Sequence, residues 1–349
     1  MMLQGTLGAQ VRRTATMDIV GCGAVTRRFH LPALAWLERQ GLLRVRYCLD
    51  PDAKAAAFLA SQFRGARPFC VSAPTAFDGT GAAVVLVATP PEHHSAWAQH
   101  YLEAGSHVLV EKPAVVSTEQ YSLLQQVTRE TRRCVLVGHV RRLFPSVVAA
   151  RALVTDGRIG TIRRIEAYEG LRWSWSTRSD FPVSSRAGGV LYDLGSHVLD
   201  MALFICGLDD LAPGTVATEV LRLERWPSQE PSHEFDADLA LGMPSGEIPL
   251  AIRLSRREPL ANVVRVRGDQ GELLVSAWHS RTVLLRANGG SQRQAGDLRS
   301  VHAATSQGCF VEEHLEAWRT WALGQQDSPL HLRHFGFLTW LVQTLAAEA

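Results

Sequence analysis

Residues 16–26 read TMDIVGCGAVT. Thr16–Val20 is a short, largely apolar run of strand type, and Gly21-Cys22-Gly23-Ala24-Val25-Thr26 follows it directly. Leu31–Gln40 then carries a helical pattern. A G-x-G is weak evidence alone, but between a strand and a helix it predicts a dinucleotide-binding turn. Gly21 would permit the tight turn. Gly23 would let the backbone approach a pyrophosphate seated at the positive end of the helix. Gly21, Gly23, Ala24 and Val25 are therefore candidate cofactor contacts. Thr26 stands where this fingerprint has Gly or Ala, which predicts a helix displaced slightly outward.

The stretch that follows repeats the strand–helix alternation. Leu43–Leu49 reads as a second strand ending at Asp50, and Asp52–Phe63 as a helix with Ala and Phe on one face. Ala82–Ala88 (AAVVLVA) is the continuous β-branched run of a strand buried on both sides of a parallel sheet. His93–Ala104 predicts a helix stopped at Gly105, His107–Val110 a strand, Thr118–Thr131 a helix and Cys134–Val137 a last strand. Strands separated by helices mean βαβ units and a doubly wound parallel sheet. Asp50 at the second strand end is placed to accept hydrogen bonds from the adenosine ribose hydroxyls. A carboxylate there repels a 2′-phosphate, which favours NAD over NADP. The competing reading is that Asp50 opens the Asp50-Pro51-Asp52 turn and caps the next helix. Two more strand ends reach the same carboxyl edge, carrying Thr89-Pro90-Pro91-Glu92-His93-His94 and Glu111-Lys112-Pro113. A cis bond before Pro113 would fix the direction of Lys112.

Composition bounds the function. The chain has 349 residues, enough for two or three domains at about 100–200 residues each; 46% are apolar and 20% charged. Lys+Arg 36 against Asp+Glu 34 gives a net charge of +2, without the basic surface of a nucleic-acid binder. The six Cys stand at 22, 48, 70, 134, 206 and 309 and form no CxxC or CxxH pair, so neither a metal site nor a disulfide framework is expected. No apolar run is long enough to cross a bilayer, and the cysteine usage suits a reducing cytoplasm. Residues 1–16 read as a disordered tail, or as the product of an upstream start with Met17 the true start. Arg12-Arg13 lacks the apolar segment of a secretory signal. Of the 36 cationic side chains only two are Lys, Lys54 and Lys112. A GC-rich genome would explain the bias. Even so, a desolvated Lys releases a proton and an Arg does not, which marks Lys112 for proton chemistry.

The glycine turn at 21–26, VLVATPPEHH at 85–94, EAGSHVLVEKP at 103–113, VLVGHVRR at 135–142 and GGVLYDLGSHVLD at 188–200 together resemble the Gfo/Idh/MocA family of NAD(P)-dependent oxidoreductases. The resemblance runs from about Met17 to the C-terminus, where Phe310–Trp321 looks like the family's late helix. It implies a Rossmann domain (17–138) followed by a substrate-binding and oligomerisation domain (139–349) on a large, open, mostly antiparallel sheet. It further implies that Lys112 lies beside the nicotinamide and the substrate hydroxyl, and that Glu111 contacts the nicotinamide-side ribose. Thr89, Pro90 and His94 would line the cofactor, and Asp193 and His197 would match the family's D-x-x-x-H pattern. The family covers its open sheet face by subunit packing, which implies a homodimer or homotetramer.

The second half supports this independently. Thr161–Glu169, Thr215–Leu223, Phe235–Leu241, Ile248–Leu254, Val263–Val266, Leu273–Ala277 and Thr282–Arg286 read as strands, with hairpin turns at Pro244-Ser245-Gly246 and Gly268-Asp269-Gln270-Gly271. Val190–Phe204 reads as a helix opened by Gly188-Gly189. On it Asp193 and His197, at i and i+4, share a face and can address one hydroxyl. Alcohol oxidation moves a hydride to nicotinamide and a proton to the protein. His197, with a reference pKa near ~6.5, suits the proton, and Lys112 suits a hydrogen bond or a relay. The plainer readings are a first-turn acid favoured by the helix dipole and a core histidine. Arg172, Trp173, Trp175, Arg178 and Arg186 are candidate sugar or anion contacts, and His139 and Arg142 follow the last Rossmann strand, where Arg142 is either a substrate contact or structural. The expected activity is hydride transfer with a sugar, cyclitol or related polyol. NAD-dependent glycoside hydrolysis by transient oxidation and elimination, and a non-enzymatic NAD-binding sensor, stay open.

Overall fold

The computed structural model describes residues 14–78, 81–172, 174, 181, 188–225, 233–278, 281–287, 293–297, 314, 316–318 and 328–348. Six parallel strands form the first sheet: β1 (Ala15–Val20), β2 (Leu43–Asp50), β3 (Arg67–Cys70), β4 (Val84–Val87), β5 (His107–Val110) and β6 (Val135–Val137). Their order, β3-β2-β1-β4-β5-β6, reverses direction of growth between β1 and β4. That reversal opens a crevice at the carboxyl ends where ligands of such sheets bind. α1 (Leu31–Arg39) and α2 (Ala53–Ala60) cover one face, and α3 (His94–Glu103) and α4 (Thr118–Thr131) the other. Ile19, Leu86 and Leu109 point to the first face and Val20, Val85 and Val110 to the second, which is why these strands read as unbroken apolar runs.

β1 takes in Ala15 and Thr16, which pair with Leu43 and Arg44, so these two residues are strand and not part of the expected tail. β3 was not expected: it is an exposed edge strand containing Pro68, which lacks an amide donor and is tolerated only there. Gly105, at φ +87°, ends α3 as expected.

The second sheet has eight strands: β7 (Ile162–Gly170), β8 (Ala217–Arg225), β9 (Glu234–Met243), β10 (Gly246–Ser255), β11 (Val263–Gly268), β12 (Gly271–Ser276), β13 (Thr282–Ala287) and β14 (Arg293–Asp297). The order is β14-β13-β12-β11-β7-β10-β9-β8, and only β7 and β10 run parallel. Both expected hairpin turns are present, between β9 and β10 and between β11 and β12. β14, RQAGD, is a polar edge strand without apolar alternation and was not expected. α5 (Pro145–Thr155) and α6 (Ser196–Cys206) pack on one face of this sheet. The other face carries Glu166 with Arg164, Arg265 and Arg267, and Asp236 with Arg222 and Arg253.

The chain then returns to the first domain. Ala317, Trp318 and Leu330 are buried with Leu34, Leu86 and Leu109, and His331 bridges Leu136 of β6. α7 (Gly336–Glu348) closes the described chain against α4 and α6. Part of the segment after 139 thus packs into the first domain rather than the second.

Candidate active site

The glycine turn is shaped by contact. Gly21 lies at φ +94°, and a Cβ there would fall 2.3 Å from Ala88 O, so β1 and β4 meet at this point only around glycine. A Cβ on Gly23 would meet nothing within 4 Å, and Gly23 is exposed while Ala24 and Val25 are half-buried. Thr26 is fully buried and donates its hydroxyl to Gly21 O at 2.6 Å. The helix begins not with a displaced α-turn but with a wide π-turn, Thr26–His30, in which Leu31 N–H donates to Thr26 O. Asp50 accepts the N–H groups of Cys22 and Asp52, each at 2.8 Å. Each carboxylate oxygen keeps a lone pair for a further donor. An open surface above Gly23 and an anchored acid at the end of β2 fit a dinucleotide.

Thr89 and Pro90 lie half-buried at the end of β4. His94 is buried and bridges Thr89 O at 2.7 Å and Pro113 O at 2.8 Å, so it ties the two loops together rather than facing a ligand. The Lys112–Pro113 bond is cis. Glu111 departs further from expectation. It is buried, accepts from His30 Nε2 at 2.6 Å and from the Lys112 N–H at 3.1 Å, and has His314 Nε2 at 3.8 Å. Both of its oxygens are held by protein donors.

Lys112 reaches across to the second domain. Its Nζ lies 2.6 Å from Asp193 Oδ1 and 3.2 Å from Asp193 O. The expected single helix over 190–204 is a π-turn, Leu191–Gly195, running into α6, so Asp193 lies on the wide turn. Its carbonyl accepts from both Lys112 and the Ser196 hydroxyl, while Arg256 grips Oδ2. One turn on, His197 Nδ1 is buried without a hydrogen-bond partner among the described residues. His139 lies edge-on to it, ring centroids 6.0 Å apart, and 3.6 Å from Asp200. Arg141 forms a two-pronged pair with Glu169 at 2.7 and 2.8 Å and lies over Trp278.

This setting shifts the titrations. Burial brings Lys112 down to about 7; Glu111 opposes the fall, Arg256 and Arg141 add to it, and Glu169 opposes it. His197 falls well below its usual range through burial, then Arg141, Lys112 and His139. His139 is brought down to about 4, chiefly by burial. The imidazole expected to titrate near neutrality is thus held neutral, and the group poised near neutrality is the lysine.

Arg142 is a correction. It is fully buried, and all five of its N–H groups are used, on Asp200, Asp209, Pro329 O and His334 O. No donor is left for a substrate. Arg172 is exposed at the end of β7. Trp173, Trp175, Arg178 and Arg186 lie outside the described residues, as does most of Phe310–Trp321. Sequence reasoning missed Arg141, Glu169 and Arg256. The last two carried a signal: Glu169 continues the inward face of Ile165 and Ala167, and Arg256 that of Ile252 and Leu254. A charge on the apolar face of a strand calls for a buried partner.

A parallel sheet with a glycine-turn crevice, closed by a second sheet that brings charged groups to the crevice mouth, defines a two-domain dinucleotide-binding protein. Residues 16–139 match the oxidoreductase family with NAD-binding Rossmann fold, and residues 147–273 match the GFO/IDH/MocA C-terminal domain. The chain belongs to the Gfo/Idh/MocA oxidoreductase family. It is 28% identical over 213 residues to the uncharacterized oxidoreductase YdgJ of Escherichia coli, covering 58% of this chain and 59% of that one. It is 27% identical over 139 residues to inositol 2-dehydrogenase of Rhizobium meliloti, covering 39% and 40%. These matches span well under two thirds of the relatives' lengths. The solved levoglucosan dehydrogenase, in complex with NADH and levoglucosan, shares the fold with a TM-score of 0.74 and 18% identity, over 96% of each chain. No described helix is long and apolar enough to cross a membrane.

Proposed function

We propose that this chain is an NAD-dependent dehydrogenase or ketoreductase that transfers hydride to or from a secondary alcohol carbon of a sugar, cyclitol or related polyol. The observation that carries the reading is the 2.6 Å contact of Lys112 with Asp193, one from each domain, one turn before the open Nδ1 of His197. Asp50 favours NAD, because a second anion beside its carboxylate is repelled. The names of the relatives, inositol 2-dehydrogenase and levoglucosan dehydrogenase, support a polyol class.

When bound, the nicotinamide supplies the acceptor or donor of hydride. The chain's own residues handle the rest. In the oxidation direction the neutral fraction of Lys112 takes the hydroxyl proton, being the group with affinity closest to neutral pH. Neutral His197 accepts or donates one hydrogen bond to the same hydroxyl and orients it. Asp193, clamped by Arg256, holds the lysine in place between turnovers. In reduction the ammonium returns the proton. The charged open face of the second sheet meets a second copy of the chain in a dimer or tetramer, and the protein works in the cytoplasm.

The test is a panel of sugars and polyols with NAD and with NADP, run beside Lys112→Ala and His197→Ala. Both variants should lose about 10²–10⁴-fold in turnover while still binding NAD. Normal turnover in either would remove that residue from the chemistry. Asp50→Ala should narrow the preference for NAD over NADP.

A further inference from the structure

Joined to the backbone of Lys112 lies a buried line of polar groups that the proposed chemistry does not use. Trp318 Nε1–H donates to His30 Nδ1 at 3.4 Å, His30 Nε2 lies 2.6 Å from Glu111 Oε1, and Glu111 Oε2 accepts the Lys112 backbone N–H at 3.1 Å. His30 comes from the turn before α1, Glu111 from the end of β5, and Trp318 from the late segment that returns from the second domain. We propose that His30 and Trp318 are positioning residues for Lys112, acting through Glu111.

The direction of the line follows from what each group can do. An indole N–H only donates, so His30 Nδ1 must accept, and the ring proton is on Nε2 facing Glu111. Burial alone would raise the Glu111 carboxyl. The hydrogen bond from His30, then the nearby His314 at 3.8 Å, more than reverse this and hold it well below its usual range. The ionised Glu111 in turn supports the charge on Lys112. The other groups facing that ammonium are Asp193, Glu169, Arg141, Arg256, His139 and His197, of which the arginines work against it. Without Glu111 as an anion, the balance around Lys112 tips toward the cations and its proton affinity drops further. The same hydrogen bond to the Lys112 amide fixes the peptide from which the side chain departs.

His30, Glu111 and His314 also put three ligand-type atoms within 4.8 Å of one another. The Trp318 donor argues against a cation there, since a metal on Nε2 would force a proton onto Nδ1 against the indole N–H.

The proposal rests on the role given to Lys112 above, and the experiment separates the two. With only two lysines in the chain, uniform ¹³C-lysine labelling gives one Cε signal for Lys54, an internal reference, and one for Lys112. In His30→Leu the Lys112 titration midpoint should fall by about one pH unit, the size expected from losing one nearby opposite charge. Trp318→Phe keeps the ring but not the donor and should shift it the same way by less. His30→Gln, which can still donate to Glu111, should bring it back, and the alkaline-rising limb of the oxidation rate should move with the signal. Unchanged midpoints in folded Trp318→Phe and His30→Leu, or equal shifts in Gln and Leu, would overturn the proposal. So would a stoichiometric divalent metal in the purified protein that His30→Gln removes. A shifted signal in a protein that oxidises no polyol would leave the positioning intact and sink the functional reading instead.

Discussion

Arg141 and Arg142 are neighbours in the chain, both buried, and they serve different networks. Arg142 joins Asp200 and Asp209, and Arg151 joins Asp209 as well, so two cations meet two carboxylates. Its guanidinium is sandwiched between Phe335 at 4.1 Å and Phe204 at 4.9 Å. Every Arg142 donor is used. Arg141 joins Glu169 beside Lys112, Asp193 and Arg256. Burial first, opposed by Glu111 and aided by Arg256 and Arg141, brings one member, Lys112, down to about 7. His197 Nδ1 and Arg141 Nε are left without partners among the described residues. Burial and ion pairing are common to both networks. What separates a candidate site from a structural hub is a convertible proton and polar atoms held open.

The largest effect that would break this contrast is on stability. Arg142→Met leaves Asp200 and Asp209 without their central partner, and such an uncompensated buried charge costs about 3–5 kcal/mol. Denaturant unfolding should record that loss, while the folded fraction binds NAD normally. If Arg142→Met instead changed substrate recognition at full stability, Arg142 would belong to the site after all.

A second measurement sharpens the contrast through pH. With Lys112 at about 7 and its neutral form taking the proton, polyol oxidation should rise with pH through about 7 and level off above it. On the acid side the rate should fall tenfold per pH unit, in line with the single protonation that Lys112 undergoes. Reduction should show the opposite slope. A flat oxidation profile between pH 6 and 8 would move the proton to another group.

The smallest effect is expected at the exposed start of β7, beside the turn between β11 and β12. Arg163 pairs with Asp269 at 3.2 Å, but the two side chains are 60% and 38% exposed. Arg163→Ala should change unfolding free energy by less than about 1 kcal/mol, because water already screens such pairs.

The nucleotide-binding half was the more legible because its central strands are buried on both faces and so are apolar throughout. β3 and β14 escaped for the converse reason: edge strands are selected to be polar or proline-bearing, which erases the pattern that reveals a strand. In the site, Lys112 and Asp193 could be named because they stand in distinctive motifs. Arg256 could not be told from the other arginines by type, and only its inward parity after Ile252 and Leu254 marked it. Position alone does not decide between the two readings of Arg142, because its place after β6 is shared with Arg141, and side-chain direction separates them.

By itself the order of residues determined the doubly wound sheet, the glycine turn with Asp50 at its flank, and the lysine to watch, since periodicity and local turn chemistry act over a few residues. Only the tertiary structure decided which charges meet. Lys112 and Asp193 are 81 positions apart, Arg142 and Asp209 are 67, and His30 and Trp318 are 288. Proton affinities follow from those long-range encounters and from the water they exclude, and neither is written in any local stretch of sequence.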